Sequence, residues 1–197
     1  MNEFKDKVVI ITGAGGGLGK SHALEFARRG ARVVVNDLGG SGDGTGAGDM
    51  ADQVVEEIKS QGGIAIANKA SVADREGAKS VVDDAVAAFG TVDILVNNAG
   101  ILRDKTFKKM PLDDWDIVMD VHLNGSAYVT HAAWPIMVEK NYGRVVFTSS
   151  TSGIYGNFGQ SNYGAAKMGM LGLMNVLAME GRSRNINVNV LAPAAAT

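Results

Sequence analysis

Tyr163 and Lys167 stand four residues apart in the run Asn-Tyr-Gly-Ala-Ala-Lys. If that run is helical, the i,i+4 spacing puts both side chains on one face. An ammonium beside a phenol stabilises the phenolate and draws its pKa down from about 10 toward working pH, which makes Tyr163 usable as a general acid or base. The pair alone is a common pattern, and its company gives it weight. Ser150 lies 13 residues before Tyr163 at the end of an apolar run, and Asn124 sits in the long helical stretch before that.

A second chemical signal lies near the N-terminus. The run Thr12-Gly13-Ala14-Gly15-Gly16-Gly17-Leu18-Gly19 joins an apolar β-branched strand to a helical segment, and Asp37 follows about twenty positions later. Glycine permits a tight turn, close approach of backbone to a pyrophosphate, and packing of helix on strand, while the helix start offers unpaired N–H groups to anionic oxygens. Asp37 can accept hydrogen bonds from both hydroxyls of an adenine ribose, and its charge would repel a 2′-phosphate there. NAD is therefore expected in preference to NADP. Gly16, which is not basic, and Leu38, which is not Arg, agree with this.

These residues need a scaffold. Short apolar runs alternate with segments of helical period, which predicts strands at Lys7 to Thr12, Arg32 to Asn36, Ile64 to Asn68, Val92 to Asn97, Gly143 to Ser149 and Ile186 to Leu191. Helices are predicted at Leu18 to Arg29, Met50 to Gln61, Asp74 to Phe89, Asp113 to Glu139 and Asn162 to Arg184, with Asp74 and Asp113 as N-caps. The expected fold is α/β, a Rossmann-type doubly wound parallel sheet flanked by helices, in a single domain. Gly39 to Gly48 holds six Gly in ten residues and is expected to be a mobile loop inserted between strand and helix.

Composition narrows the function. The chain has 197 residues, 26 Gly and no Cys, with 19 Lys and Arg against 21 Asp and Glu. Disulfides and Cys-ligated metals are excluded, and the balance of charge gives no basic field for a nucleic acid. His22, His122 and His131 lack metal-ligand spacing and are expected on helix surfaces or in the core, so no metal is expected. Trp115 and Trp134 read as core. The charged residues Met1 to Lys7 lead into a strand too short for a signal peptide or a membrane span, so a cytoplasmic enzyme without membrane partners is expected.

Taken together, TGAGGGLG, NNAG at Asn97 to Gly100, Asn124, Ser150 and YGAAK at Tyr163 to Lys167 resemble the short-chain dehydrogenases/reductases over essentially the whole chain. The resemblance implies that Tyr163 transfers the proton and that Ser150 orients and polarises the substrate oxygen. It implies that Lys167 holds the nicotinamide ribose and tunes Tyr163, and that Asn124 fixes a water in a proton relay. Gly13, Gly15, Gly17, Leu18, Gly19 and Asp37 would hold the dinucleotide together with Ser71, Val72, Asn98, Ala99, Gly100 and Pro193. The family often has an Asp where this chain has Ser71-Val72, so adenine recognition there is expected to be weaker or to come from backbone. Its usual Pro-Gly after the last of these strands is Pro193-Ala194 here. Family members continue through a substrate-covering loop, a helix and a strand, so 1–197 is expected to be a domain without its last fifth or so. Helices that pair across subunits in the family imply a homodimer or homotetramer, with Met168, Met170, Met174 and Met179 on the paired face.

Finer features, VVVNDLGG with its Gly-rich insertion, NNAGILRDKTFKKM and SGIYGNFGQ, resemble the (3R)-hydroxyacyl-CoA dehydrogenase part of the multifunctional β-oxidation enzymes of peroxisomal type. That implies NAD-dependent oxidation of a (3R)-3-hydroxyacyl-CoA. Arg103, Lys105, Lys108 and Lys109 could meet CoA phosphates or form a solvated loop, and Tyr155 and Phe158 are candidate walls of the substrate pocket. The alternatives are a 3-oxoacyl-acyl-carrier-protein reductase, another short-chain alcohol or steroid dehydrogenase, and a non-catalytic NAD-binding regulator.

Overall fold

In a computed structural model describing residues 3–193, six strands form one parallel sheet in the order β3-β2-β1-β4-β5-β6. They are β1 (Val8–Thr12), β2 (Arg32–Asn36), β3 (Ile64–Asn68), β4 (Ile94–Asn97), β5 (Gly143–Thr148) and β6 (Ile186–Leu191). Ala194 of the Pro193-Ala194 pair lies outside the described residues.

Alternation within the strands feeds two cores. Val9, Ile11, Val33 and Val35 point to the side covered by α1 (Gly17–Arg28) and α2 (Met50–Ser60). Val8, Ile10, Val34 and Leu95 point to the other, where they meet α3 (Arg75–Phe89), α5 (Gly125–Glu139) and α7 (Ser161–Gly181). A parallel strand buried on both faces must be apolar at every position, which is why β1 reads Val-Val-Ile-Ile-Thr. Asp74 caps α3 as expected, its carboxylate accepting from Gly77 N at 2.6 Å.

The strand order reverses between β1 and β4. The connections leaving their C-terminal ends run to opposite sides of the sheet, and an open α/β sheet places its ligand crevice at that point.

Three departures from expectation bear on the site. The helix expected over Asp113 to Glu139 is divided into α4 (Leu112–Met119), a π turn at Asp120–Asn124 and α5, and Pro111, not Asp113, stands at its N-cap. A short helix, α6 (Thr151–Tyr155), follows β5, capped by Ser150 Oγ, which accepts from Ser152 N at 3.1 Å. The glycine-rich insertion is an organised loop: one oxygen of Asp43 accepts from Thr45 N at 3.0 Å and Thr45 Oγ1 at 2.7 Å, and also from Ser41 Oγ.

The remaining expectations divide. Trp134 packs on the larger core, whereas Trp115 is only half-buried and meets Phe107 edge-on. On α7, Met170 and Met174 join the core while Met168 and Met179 face outward. Among the described residues no helix is long and apolar enough to cross a membrane, and no three His, Asp or Glu side chains are grouped to hold a metal.

Candidate active site

Two adjoining cavities open at the switch point, of about 430 and 310 Å³, and Gly17, Asn98, Gly100 and Ile101 line both. The larger is walled by Gly13, Gly17, Asp37, Ser71, Val72, Asn98, Ala99 and Gly100, eight of the residues expected at a dinucleotide. The smaller gathers Leu18, Gly100, Ser150, Tyr163, Lys167 and Pro193.

The glycine loop is shaped by backbone requirements. Gly13 has φ +63°, a left-handed conformation that a larger residue adopts only under strain, and a Cβ there would sit 2.7 Å from Ala99 Cα. Gly19 lines neither cavity; a Cβ on it would stand 2.1 Å from the carbonyl oxygen of Gly13. Gly15 also lies behind the cavities, where its N–H donates to Asp37 Oδ2 at 2.7 Å. Gly39 N donates to Oδ1 of the same carboxylate at 2.7 Å. The two amides fix Asp37 at the wall of the larger cavity, and each oxygen keeps a lone pair for a ribose hydroxyl. The loop after β4 is locked to the loop after β1: Thr12 Oγ1 accepts from Asn98 N and Ala99 N, and the Asn98 amide donates to Thr12 O and Gly13 O. This open cradle, rimmed by backbone and ending at a carboxylate, fits a dinucleotide.

At the other end, α7 presents Tyr163 and Lys167 one turn apart. Lys167 is 3% exposed, its Nζ 5.3 Å from the centre of the Tyr163 ring and donating to Thr148 O. Burial disfavours the ammonium and pushes the Lys167 pKa down to about 7. Its charge near neutral pH therefore depends on what enters the cavity. Ser150, at the end of β5, faces the same space.

The residue sequence reasoning missed is His122. It is 1% exposed, lines the smaller cavity, and stacks edge-on against Tyr163 with ring centres 5.1 Å apart. Its Nε2 lies 3.0 Å from N and 2.8 Å from O of Ile101, so either tautomer makes a backbone bond, and its buried Nδ1 has no partner. Burial, helped by the nearby Lys167, pushes its pKa down to about 3, which keeps the ring neutral.

Asn124 lines neither cavity; its amide donates to Asp120 Oδ1 at 2.7 Å. Ordinary helical spacing explains this: buried Val118, His122, Ser126, Val129 and Ala133 recur at intervals of three or four, so His122 belongs to the inward face and Asn124 does not. That spacing was the available signal. The hydroxyls of Ser126 and Thr130 extend the same buried face, bonding the carbonyls four residues back at 2.6 Å to His122 O and 2.7 Å to Ser126 O.

Two further expectations are corrected. Tyr155 and Phe158 are 83% and 88% exposed and line neither cavity, because α6 ends at Tyr155 and carries the chain outward. The basic cluster is divided: Arg103 and Lys105 both pair with Asp114, at 2.9 and 3.1 Å, while Lys108 and Lys109 stand apart on a single 3₁₀ turn. Those two cations, Lys105 foremost, hold the Asp114 carboxyl below the usual range.

The short chain dehydrogenase family model matches residues 7–197. The chain belongs to the short-chain dehydrogenase family. It is 60% identical to "Peroxisomal multifunctional enzyme A" of Dictyostelium discoideum over 98% of this chain and 44% of that protein. It is 55% identical to "Peroxisomal hydratase-dehydrogenase-epimerase" of Saccharomyces cerevisiae over 98% of this chain and 21% of that protein. The crystal structure of a short chain dehydrogenase from Mycobacterium avium superposes with a TM-score of 0.90 at 43% identity, covering 96% of this chain and 68% of that one. The chain thus spans less than half the length of these curated relatives. Both are named as peroxisomal, which overturns the expectation of a cytoplasmic enzyme.

Proposed function

We propose that the chain is an NAD-dependent dehydrogenase domain that oxidises a (3R)-3-hydroxyacyl-CoA to the 3-oxoacyl-CoA. The observation that carries this reading is the convergence of Ser150, Tyr163 and Lys167 on one cavity that shares its wall with a cleft ending at Asp37. The hydroxyacyl-CoA substrate is supported by the relatives' names and by the Gly-rich insertion with the NNAGILRDKTFKKM run. A peroxisomal setting follows the same names.

NAD held in the cleft would supply the acceptor for the hydride of the carbinol carbon, chemistry the protein's own side chains lack. The chain's residues handle the proton. Ser150 Oγ hydrogen-bonds the substrate oxygen and orients it toward Tyr163, whose phenolate takes the hydroxyl proton. Lys167 holds the nicotinamide ribose and favours the phenolate through its charge. Neutral His122 packs against the Tyr163 ring and holds its plane without contributing a competing cation. The outward Met168, Val176 and Met179 of α7 supply an apolar face for pairing with a second copy as a homodimer or homotetramer.

Dinucleotide preference tests the assignment. A 2′-phosphate placed against the Asp37 carboxylate costs several kcal/mol of like-charge repulsion, so NAD is expected to exceed NADP by about 100-fold or more in kcat/KM. Steady-state rates with both dinucleotides and a hydroxyacyl-CoA measure this. Faster turnover of an acyl-carrier-protein thioester with NADPH would replace the reading with that of a 3-oxoacyl-carrier reductase.

A further inference from the structure

The glycine-rich insertion reaches across the cleft and is tied to the segment that follows β4. Leu102 N donates to Gly42 O at 3.0 Å, Arg103 Nε donates to Asp43 O at 2.6 Å, and Gly44 rests against the Ile101 side chain. Gly42 lines both cavities, so this strap passes over the wall they share. Its stem is tied to the cradle through Asp37, which binds the amides of Gly39 and Gly15.

Arg103 carries the connection onward. Its Nη1 pairs with Asp114 on α4, and its backbone carbonyl accepts from Asn162 Nδ2 at 3.2 Å. Asn162 is fully buried, also donates to Asp114 O at 3.1 Å, and its Oδ1 accepts from Tyr163 N at 2.8 Å at the start of α7. An unbroken set of hydrogen bonds thus runs from the strap, through Arg103, to the backbone of the residue assigned the proton transfer. The guanidinium fork is what permits this, since one planar group reaches a carbonyl and a carboxylate at once and a single ammonium does not.

We infer that Arg103 is a positioning residue that links occupation of the dinucleotide cleft beneath the strap to the alignment of Tyr163. The inference rests on the dinucleotide reading above. A ligand that favours the closed strap must, by reciprocity, favour the ordered start of α7, and weakening the link must weaken both. Lys105, the other partner of Asp114, makes no bond to the strap and lies outside the link.

The test uses the full-length protein, NADH as the probe, and two readouts. In the unaltered protein, NADH is expected to slow amide hydrogen exchange across residues 161–167. Arg103→Lys and Arg103→Met leave the Leu102 N–Gly42 O bond and the Arg103 carbonyl in place, so they are expected to reduce that slowing and, through loss of a charge-assisted bond, to weaken NADH binding by about tenfold. Removing residues 41–46 breaks both ties and is expected to abolish the slowing, and the double variant is expected to be no worse than that deletion alone. Lys105→Met controls for the loss of a cation beside Asp114 and is expected to keep both NADH affinity and the slowing. Slowing undiminished in the Arg103 variants, or losses that multiply in the double variant, would overturn the inference. Failure of the unaltered protein to bind NADH would instead remove the dinucleotide reading and the inference with it.

Discussion

Tyr163→Phe is expected to lower kcat by about 10³, within the range that a positioned general acid or base contributes, while NADH affinity stays within about twofold. The substitution removes one oxygen and keeps the ring. The edge-on contact with His122 and the start of α7 are therefore preserved, and Asn162 still bonds the backbone N–H of residue 163. Because the loss falls on the proton transfer and not on binding, it is read as a fall in kcat at nearly constant dinucleotide affinity. Stopped-flow turnover paired with NADH fluorescence titration separates the two. Unchanged turnover would mean that Tyr163 does no chemistry and would return the chain to the class of dinucleotide-binding regulators.

Lys167→Met is expected to abolish most activity, again by about 10² to 10³, without destabilising the fold. At and below pH 7 the wild-type protein carries the cost of an ammonium that is 3% exposed and bonded to a single carbonyl. Methionine of similar length removes that cost and forfeits the bond to Thr148 O, worth about 1 kcal/mol. The expected Tm at pH 7 is equal to the wild type or above it by up to about 5 °C. The pH dependence has a definite sign. Folded Lys167 releases its proton near pH 7 and unfolded Lys near 10.5, so between these values the unfolded chain binds more protons. Wild-type stability must therefore gain from this group as pH rises from about 7 to about 10, whereas below 7 both states are protonated and the cost is fully present. The variant lacks that gain, so its advantage narrows with rising pH. Calorimetric scans at pH 6.5, 8 and 9.5 measure the trend, and an advantage that widened with pH would contradict the burial assigned to Lys167.

What the sequence could and could not show follows from how far each signal is local. The central strands were legible because a parallel strand covered on both faces carries an unbroken apolar run, and the Val-Val-Val of β2 admits few other readings. The glycine loop was legible because its requirements are set by its own backbone and by one acidic residue at a fixed remove. The convergence of Ser150, Tyr163 and Lys167 on one cavity was legible because a strand end and one regular helix turn fix them. Asn124 was read from its company alone, although the i,i+4 spacing of Val118, His122 and Ser126 puts His122, not Asn124, on the buried face of that helical stretch. The strap was hidden as well, since six Gly in ten residues look unstructured, and its order depends on Asp43 within the loop and Arg103 sixty residues away. Tyr155 and Phe158 were misjudged because nothing in the sequence marked the short helix that turns them outward.

In the proposed reaction, Ser150 and Tyr163 act on one face of a carbinol carbon while the dinucleotide lies across the shared wall of the two cavities. Such a fixed arrangement accepts one configuration of substrate. The measurement that tests it is the rate of NAD reduction by the full-length protein with (3R)- and (3S)-3-hydroxyacyl-CoA of matched chain length. Oxidation of the (3R) substrate at least about 100-fold faster in kcat/KM, equivalent to about 2.7 kcal/mol of transition-state discrimination, is the expected result. Equal rates, a preference for the (3S) substrate, or faster oxidation of a simple secondary alcohol without CoA would contradict it.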